Sequence, residues 1–373
     1  MKRSIEDRIK IDLDRKMVLL SGPRQVGKTT LSRALYPDNS EYFNMDNVEH
    51  RLLIQKQAWR RDCDLVIFDE LHKIRKWKNW IKGIYDTEGA RPRLLVTVSS
   101  RLDIYRKGGD SLAGRFYSYR LHPFSVAEVK GHYKADTALE HIMRLGGFPE
   151  PFLKGSDVYA KRWRRSHVDR ILREDLLDIA AVRSLKGMET LVELLRNSVG
   201  STISYESLSR DLQVSPNTVK LWIGILESLY IIFVVTPYHR NIARSLIKQP
   251  KIYFYDTGLV KEDEGARLEN AVACALLKRL HFLEDTAGEK CALHYVRDKK
   301  KREADFLTLR DGKTEWLVET KLADTETVSL KHFYEFFPKE TKPILLVKNL
   351  KRELFLDGIH VKKAGNWLEG LEA

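Results

Sequence analysis

"GPRQVGKT", residues 22–29, fits G-x-x-x-x-G-K-[ST], the spacing of a phosphate-binding loop. Gly22 and Gly27 let backbone N–H groups curl around phosphate oxygens, and a helix N-terminus behind the loop adds its positive dipole end. Pro23, Arg24, Gln25 and Val26 supply the intervening backbone, and Thr30 follows in the first helical turn. In such a loop Lys28 reaches the β- and γ-phosphates and Thr29 ligates Mg²⁺. The motif needs a strand before it and a helix after it. "KMVLLSG" reads as a buried strand and "KTTLSRALY" as a helix, so a chance glycine-rich loop is the weaker reading.

Two further apolar runs extend this start into a sheet. "CDLVIFDE" and "PRLLVTVSS" read as continuous buried strands, the pattern of a parallel sheet covered by helices on both faces. An acid ending a buried strand needs a cation or a hydrogen-bond donor. Asp69 is therefore the candidate for the Mg²⁺ shell, and Glu70 for the general base that polarises an attacking water. Ser99 is a candidate for contacting the γ-phosphate or that water, and equally for capping the next helix.

The chain of 373 residues is 43% hydrophobic, enough for two or three cores. A net charge of +13 favours a polyanionic partner. The start, "MKRSIEDRIKIDLDRK", is too charged for a signal peptide, and the longest apolar run, "LYIIFVVTPY", is too short to span a bilayer. Cys63, Cys274 and Cys291 lack metal spacing and read as free thiols in a reducing compartment. The expectation is a cytoplasmic protein with no membrane contact.

The order of P-loop strand, Asp-Glu strand and polar-tipped strand resembles the AAA+ ATPases. The likeness is greatest to the prokaryotic AAA+ proteins with a C-terminal nuclease-like domain, in which "SGPRQVGKTTL", "FDELHKI", "SLAGR" and "GGFPE" recur in this order. Val98 departs from that pattern, which has glycine there. The resemblance implies an α/β protein that binds ATP and Mg²⁺. It implies a P-loop core over 1–124, a helical lid over 125–182, a winged-helix domain over 183–240 and a nuclease-like α/β domain over 241–373. It also makes Arg115 an arginine finger aimed at a neighbour's ATP site, and so implies a ring, a hexamer. The structural alternative for Arg115 is a salt bridge at a helix end. "GGFPEP" would close the lid near the adenine, or simply end a helix.

"YESLSRDLQVSPNTVKLWIGILESLYIIFVV" has helix-turn-helix patterning, with Ser215 as N-cap and Pro216 at the first helical position. Asn217, Thr218 and Lys220 would face outward, for DNA contact or for packing against another segment. "KRWRR", residues 161–165, is a candidate for contacting a nucleic-acid backbone, or a solvated helix face.

"READFLTLRDGKTEWLVETK", residues 302–321, reads as a hairpin carrying Asp305, Glu319 and Lys321. Glu319 and Lys321 share a strand face. A two-residue Asp311-Gly312 turn would set Ala304, not Asp305, opposite Glu319. A three-residue loop or an equivalent bulge is therefore expected. This set resembles the PD-(D/E)XK nuclease core, which implies a metal held by Asp305, Glu319 and Glu269, with Lys321 orienting water. Thr320 stands where that core has an apolar residue, and "RDKKKR" would grip phosphates. The plain alternative is a hairpin with charges on its wet face.

The expected function is an ATP-dependent DNA-processing enzyme. Its motor would translocate or remodel DNA, branched or single-stranded, and its C-terminal domain would bind or cut it. The alternative is an ATP-dependent oligomerising switch whose nuclease-like domain only binds DNA or a partner. An ATPase acting on proteins fits the basic charge less well.

Overall fold

A computed structural model describes residues 1–99, 112, 114–175, 184–239, 249–261 and 263–373. They form two units, residues 1–122 with 228–230, and residues 123–227 with 231–373.

The first unit runs α1 (Glu6–Leu13), β1 (Met17–Ser21), α2 (Lys28–Leu35), β2 (Ser40–Asn44), α3 (Val48–Gln55), β3 (Leu65–Asp69), α4 (Trp77–Glu88), β4 (Arg93–Val98) and β5 (Phe116–Arg120). Its sheet has the order β2-β3-β4-β1-β5, with every pairing parallel. Every residue of β1, β3 and β4 is buried, as their unbroken apolar runs require. Strand β4 separates the P-loop strand β1 from β3, with Asp69 level with Thr97 and Ser21 level with Val98. The carboxyl ends of these strands thus share one edge, where an open α/β sheet binds its ligands.

The second unit opens with α5 (Ala135–Leu145), α6 (Pro149–Lys154), α7 (Asp157–Arg170), α8 (Leu185–Arg196), α9 (Tyr205–Leu212) and α10 (Pro216–Ser228). It continues with β6 (Ile232–Pro237), β7 (Lys251–Phe254), the long α11 (Glu264–Ala287), β8 (Cys291–Arg297), β9 (Glu303–Arg310) and β10 (Lys313–Lys321). It closes with α12 (Val328–Tyr334), β11 (Lys342–Val347), β12 (Leu354–Leu356), β13 (Ile359–Lys363) and α13 (Ala364–Glu369). The sheet is mixed, in the order β12-β13-β11-β10-β9-β8-β6-β7.

The boundaries expected at 182/183 and 240/241 involve residues outside the described ones. Strand β6 does not close off a module of its own. It pairs with β7 and, through Thr236 and Pro237, with β8, so the helix-turn-helix segment leads straight into the C-terminal sheet. The turn itself forms as its sequence requires. Gln213 ends α9 in the left-handed region (φ 54°), and Thr218 N–H donates to the Ser215 hydroxyl at 3.1 Å.

The β9–β10 hairpin corrects one expectation and meets its stated alternative. The turn has two residues, Asp311 (φ 47°) and Gly312 (φ 76°), and pairs Arg310 with Lys313. Aspartate-glycine suits such a turn because both positions need positive φ. A bulge at Glu315 then shifts the register between Thr314 and Trp316. Beyond it Val318 pairs with Phe306, so the next step sets Glu319 opposite Asp305. Glu315 leaves the ladder for the buried Arg279, which it meets through two bonds of 2.8 Å, and for Arg310 at 3.2 Å. Trp316 N–H spans the bulge to the Thr308 hydroxyl at 3.1 Å.

Candidate nucleotide site and a buried charge cluster

The loop after β1 adopts the conformation its glycines permit. Gly27 enters α2 with φ 99°, and a Cβ on Gly22 would lie 2.3 Å from the Leu121 carbonyl oxygen. No side chain larger than hydrogen fits there without a shift. Pro23 and Val26 are buried, Arg24 is half-buried, and Gln25 and Thr30 are exposed. Lys28 is only 6% exposed, and its Nζ donates to the carbonyls of Gly22 at 2.9 Å and Pro23 at 2.8 Å. The ammonium is thus held against its own loop.

Thr29 Oγ1 donates to Asp69 Oδ2 at 2.8 Å. Tyr42 and Thr97 add two more hydroxyls to the same carboxylate. These satisfy an acid only 5% exposed. Burial, and then the bond to Asp69, pushes the Tyr42 phenol well above its ordinary range, so it stays a donor. The Arg33 guanidinium stacks 3.9 Å from the centre of the Tyr42 ring. The sequence reading found Thr29 and Asp69 but missed Tyr42, Thr97 and Arg33, which carry no motif.

Glu70 sits in the left-handed region (φ 58°, ψ 33°), a conformation costing a non-glycine residue about 1–3 kcal/mol. It lifts the side chain off the end of β3. Ser99 Oγ donates to Glu70 Oε2 at 2.9 Å, and His72 Nδ1 lies 3.4 Å from the same oxygen. Ser99 therefore orients Glu70; the helix it was also expected to cap lies outside the described residues. Val98 is fully buried and packs in the core of this unit. Glycine is not required there. The Thr29 hydroxyl and the Asp69 carboxylate fit an Mg²⁺ shell chemically, being adjacent oxygen ligands beside a phosphate loop.

Arg115 immediately precedes β5, and Met17 of β1 is level with Phe116. It stands at the amino end of the sheet, whereas the P-loop leaves the carboxyl end of β1, a strand length of roughly 15 Å away. Its guanidinium grips Asp86 of α4 at 2.6 and 3.1 Å. The salt bridge weighed at the sequence level is thus present. Ser111 and Ala113 of "SLAGR" lie outside the described residues.

The second unit gathers the other charged candidates around a lysine the sequence reading missed. Lys251, fully buried at the start of β7, places Nζ 2.9 Å from Glu269 of α11 and 3.8 Å from Asp305, and forms a shorter ion pair with Glu303. Tyr253, two residues on and on the same face, donates to Glu269 at 2.6 Å. Gly200 (φ 79°) walls off this side; a Cβ there would lie 2.7 Å from Glu269 Oε2. Asp305 Oδ2 accepts from both the Thr320 N–H and its hydroxyl, each at 2.8 Å. That gives Thr320 a polar partner in place of the expected apolar contact. Glu319 pairs with Lys321 at 3.1 Å, and its Oε2 is buried with no hydrogen-bond partner.

Burial, and then the Asp305 charge, lifts both Glu269 and Glu319 to about 7. Burial alone would lower Lys251; Glu269, Asp305 and Glu303 together raise it instead, so it stays protonated. Among the described residues no group of three or more His, Cys, Asp or Glu side chains is disposed to hold a metal ion. Within the metal set Glu269, Asp305 and Glu319, each acid already has a lysine partner. Glu269 and Asp305 face Lys251, and Glu319 faces Lys321. As they stand, these residues do not fit the implied metal.

The remaining candidates distribute as follows. "GGFPEP" makes the turn between α5 and α6, where a Cβ on Gly146 (φ 81°) would meet Asp256 Oδ1 at 1.9 Å. In "KRWRR", Lys161, Arg162 and Arg165 are exposed, but Trp163 and Arg164 turn inward. Arg164 forms a buried pair with Asp256 at 3.0 Å. A cavity of about 990 Å³ beside α7 and α8 is lined by Lys161, Arg165, Arg196, Lys261 and Arg267. Asn217 and Lys220 are exposed on α10, and Lys299 and Lys300 on the β8–β9 loop. Cys63, Cys274 and Cys291 are free thiols. Among the described residues no helix is long and apolar enough to cross a membrane.

Residues 14–130 match the AAA domain family, residues 136–266 a domain of unknown function (DUF8612) and residues 264–366 a domain of unknown function (DUF4143). The chain therefore carries an AAA-type ATPase domain followed by these two domains. An uncharacterized protein of Mycobacterium tuberculosis is 27% identical, over 84% of this chain and 72% of that protein. One of Methanocaldococcus jannaschii is 23% identical, over 95% and 85%. Among solved structures, a DNA replication initiation factor aligns with 15% identity and a TM-score of 0.30, covering 60% of this chain and 85% of that one. A signal transduction ATPase with a tetratricopeptide repeat sensor from Pyrococcus horikoshii aligns with 12% identity and a TM-score of 0.23, covering 77% and 48%.

Proposed function

We propose that this chain hydrolyses ATP and uses the nucleotide cycle to control how its second unit holds DNA. The observation that carries the proposal is the convergence of Lys28, Thr29, Asp69, Glu70 and Ser99 at the carboxyl edge of one parallel sheet. Lys28 would leave the carbonyls of Gly22 and Pro23 for the β- and γ-phosphates. Thr29 and Asp69 would hold Mg²⁺, which when bound offsets charge on the phosphates. Glu70, held by Ser99, would take the proton of the attacking water. Arg115 would stabilise the transferring phosphoryl group of a neighbouring copy, in a closed ring of copies such as a hexamer.

DNA is the proposed partner because the chain carries a net charge of +13, exposed Lys161, Arg162 and Arg165, and a helix-turn-helix whose second helix exposes Asn217 and Lys220. A second reading, a switch whose second unit binds without processing, is favoured by the pairing of Lys251 with the acids that cutting would need.

The test is phosphate release by the full chain, alone and with single-stranded, duplex and four-way DNA. Stimulation by one of them is expected, and it should vanish in Glu70→Gln. Turnover indifferent to every DNA would remove the DNA half of the proposal in favour of the switch. A protein with no affinity for adenine nucleotides would remove all of it.

A further inference from the structure

We propose that the Lys251 ammonium is the resident cation of the acidic cluster in the second unit, and that it stands where the carboxylates would otherwise recruit a divalent metal. The inference is independent of nucleotide hydrolysis.

The geometry makes the case. Glu269 comes from α11, Glu303 and Asp305 from β9, and all three face one Nζ that is fully buried. A buried carboxylate must be paired or otherwise satisfied, and each of these is. Glu269 also accepts from the Tyr253 hydroxyl, Glu303 lies 3.7 Å from Arg297 Nε, and Asp305 accepts from Thr320. A divalent ion bound by Glu269 and Asp305 would need oxygen contacts of roughly 2.0–2.6 Å in the space where Nζ lies. Nζ is already 2.9 Å from Glu269 Oε1, so the ion and the ammonium would have to share that space. Like charges at that separation repel strongly inside a protein. Nor is Lys251 free to swing away, because β7 pairs with β6, the Phe254 backbone of β7 is bonded to Asn270 of α11, and the lysine is 0% exposed.

The lysine lies far from the hairpin in sequence yet ends beside it, because β9 and α11 bring the acids to the face of β7 that Lys251 shares with Tyr253. Placing a fixed ammonium there keeps the acids together without metal.

The test is Mn²⁺ binding to the nucleotide-free full chain, read by electron paramagnetic resonance. Wild type and Asp305→Asn should bind Mn²⁺ alike, since any contribution from Thr29 and Asp69 is common to both. Lys251→Met should gain a Mn²⁺ site that Lys251→Met with Asp305→Asn lacks. Millimolar Mn²⁺ should raise the melting temperature of Lys251→Met by more than that of wild type. The inference fails if wild type binds a Mn²⁺ ion that Asp305→Asn loses, or if folded Lys251→Met gains none. Should Lys251→Met fail to fold, the comparison of wild type with Asp305→Asn decides alone.

Discussion

Thr29 Oγ1 lies 2.8 Å from Asp69 Oδ2, tying the first turn of α2 to the tip of β3, although β4 runs between β3 and the P-loop strand. The link forms because parallel strands end at one edge, and it fixes both oxygens at the start of the helix that follows the phosphate loop. Lys28→Ala should lower nucleotide affinity by more than about 100-fold, as read by titration with a fluorescent ATP analogue. Asp69→Asn should keep binding within a few-fold while cutting Mg²⁺-dependent turnover by roughly 100-fold. Normal ATP binding by Lys28→Ala would remove the phosphate site from this loop.

Glu70 and Ser99 make a directional pair, in which the serine holds the carboxylate by one 2.9 Å bond. Glu70→Gln should retain ATP and lose about 10²–10⁴-fold in turnover, the usual worth of a general base. Ser99→Ala should lose less, roughly tenfold, with nucleotide affinity unchanged. A Ser99→Ala defect as deep as that of Glu70→Gln would mean that the serine meets substrate itself.

Arg115 sits at the end of the sheet away from its own P-loop, so in the proposed ring it would serve another copy's site. Mixing Arg115→Ala with Lys28→Ala should restore phosphate release, since mixed assemblies contain sites with an intact loop and an intact neighbouring arginine. Each variant alone should be inactive, with Arg115→Ala lowered by about 10³-fold or more. Failure of the mixture to recover, or normal turnover by Arg115→Ala alone, would restrict Arg115 to its Asp86 salt bridge.

The bulge residue Glu315 is held by a buried arginine, whose side chain is 5% exposed and stacks 3.9 Å from the centre of the Trp316 ring. Glu315→Ala leaves that charge with the exposed Glu372, 4.0 Å away, and should cost about 3 kcal/mol by chemical unfolding. Glu353→Ala, which removes an exposed pair with Lys362, should cost less than about 1 kcal/mol. Equal losses would mean that the bulge does not depend on Arg279.

The cluster should also make stability depend on pH. Glu269 faces Lys251, Tyr253, Glu303 and Asp305, while Glu319 faces Lys321, Asp305 and Asp324. Both acids titrate near 7 when folded, against an ordinary 4.5. Between those values the folded protein binds protons that the unfolded chain has released. The stabilisation is therefore complete below about 4.5 and is lost as pH rises through 7, with a slope of up to about 1.4 kcal/mol per pH unit for each group. The urea midpoint should fall over that range, and Glu269→Gln or Glu319→Gln should each flatten the fall. A midpoint that rises instead would mean that both acids are ionised in the fold.

The candidate nucleotide site was legible because its parts are local. A phosphate loop is eight consecutive residues, and an acid after a buried run marks a strand tip without knowledge of the neighbours. Ser99 was located the same way, but its task was not, since the bond to Glu70 depends on how β3 and β4 align. The hairpin needed more. The sequence required that something move Asp305 opposite Glu319, and two mechanisms satisfied it equally. Only Arg279, on a helix distant in sequence, settled the matter by drawing Glu315 out of the ladder. Lys251 was invisible for the same reason. A lysine opening an apolar strand looks like an ordinary strand end until α11 and β9 deliver three carboxylates to it. Short-range patterning determines where chemistry-bearing residues stand along an element. Which charges meet, and so whether acids wait for a metal or are already neutralised, is decided by long-range packing, because Coulomb energy in a dry interior depends on neighbours that the chain brings from far away.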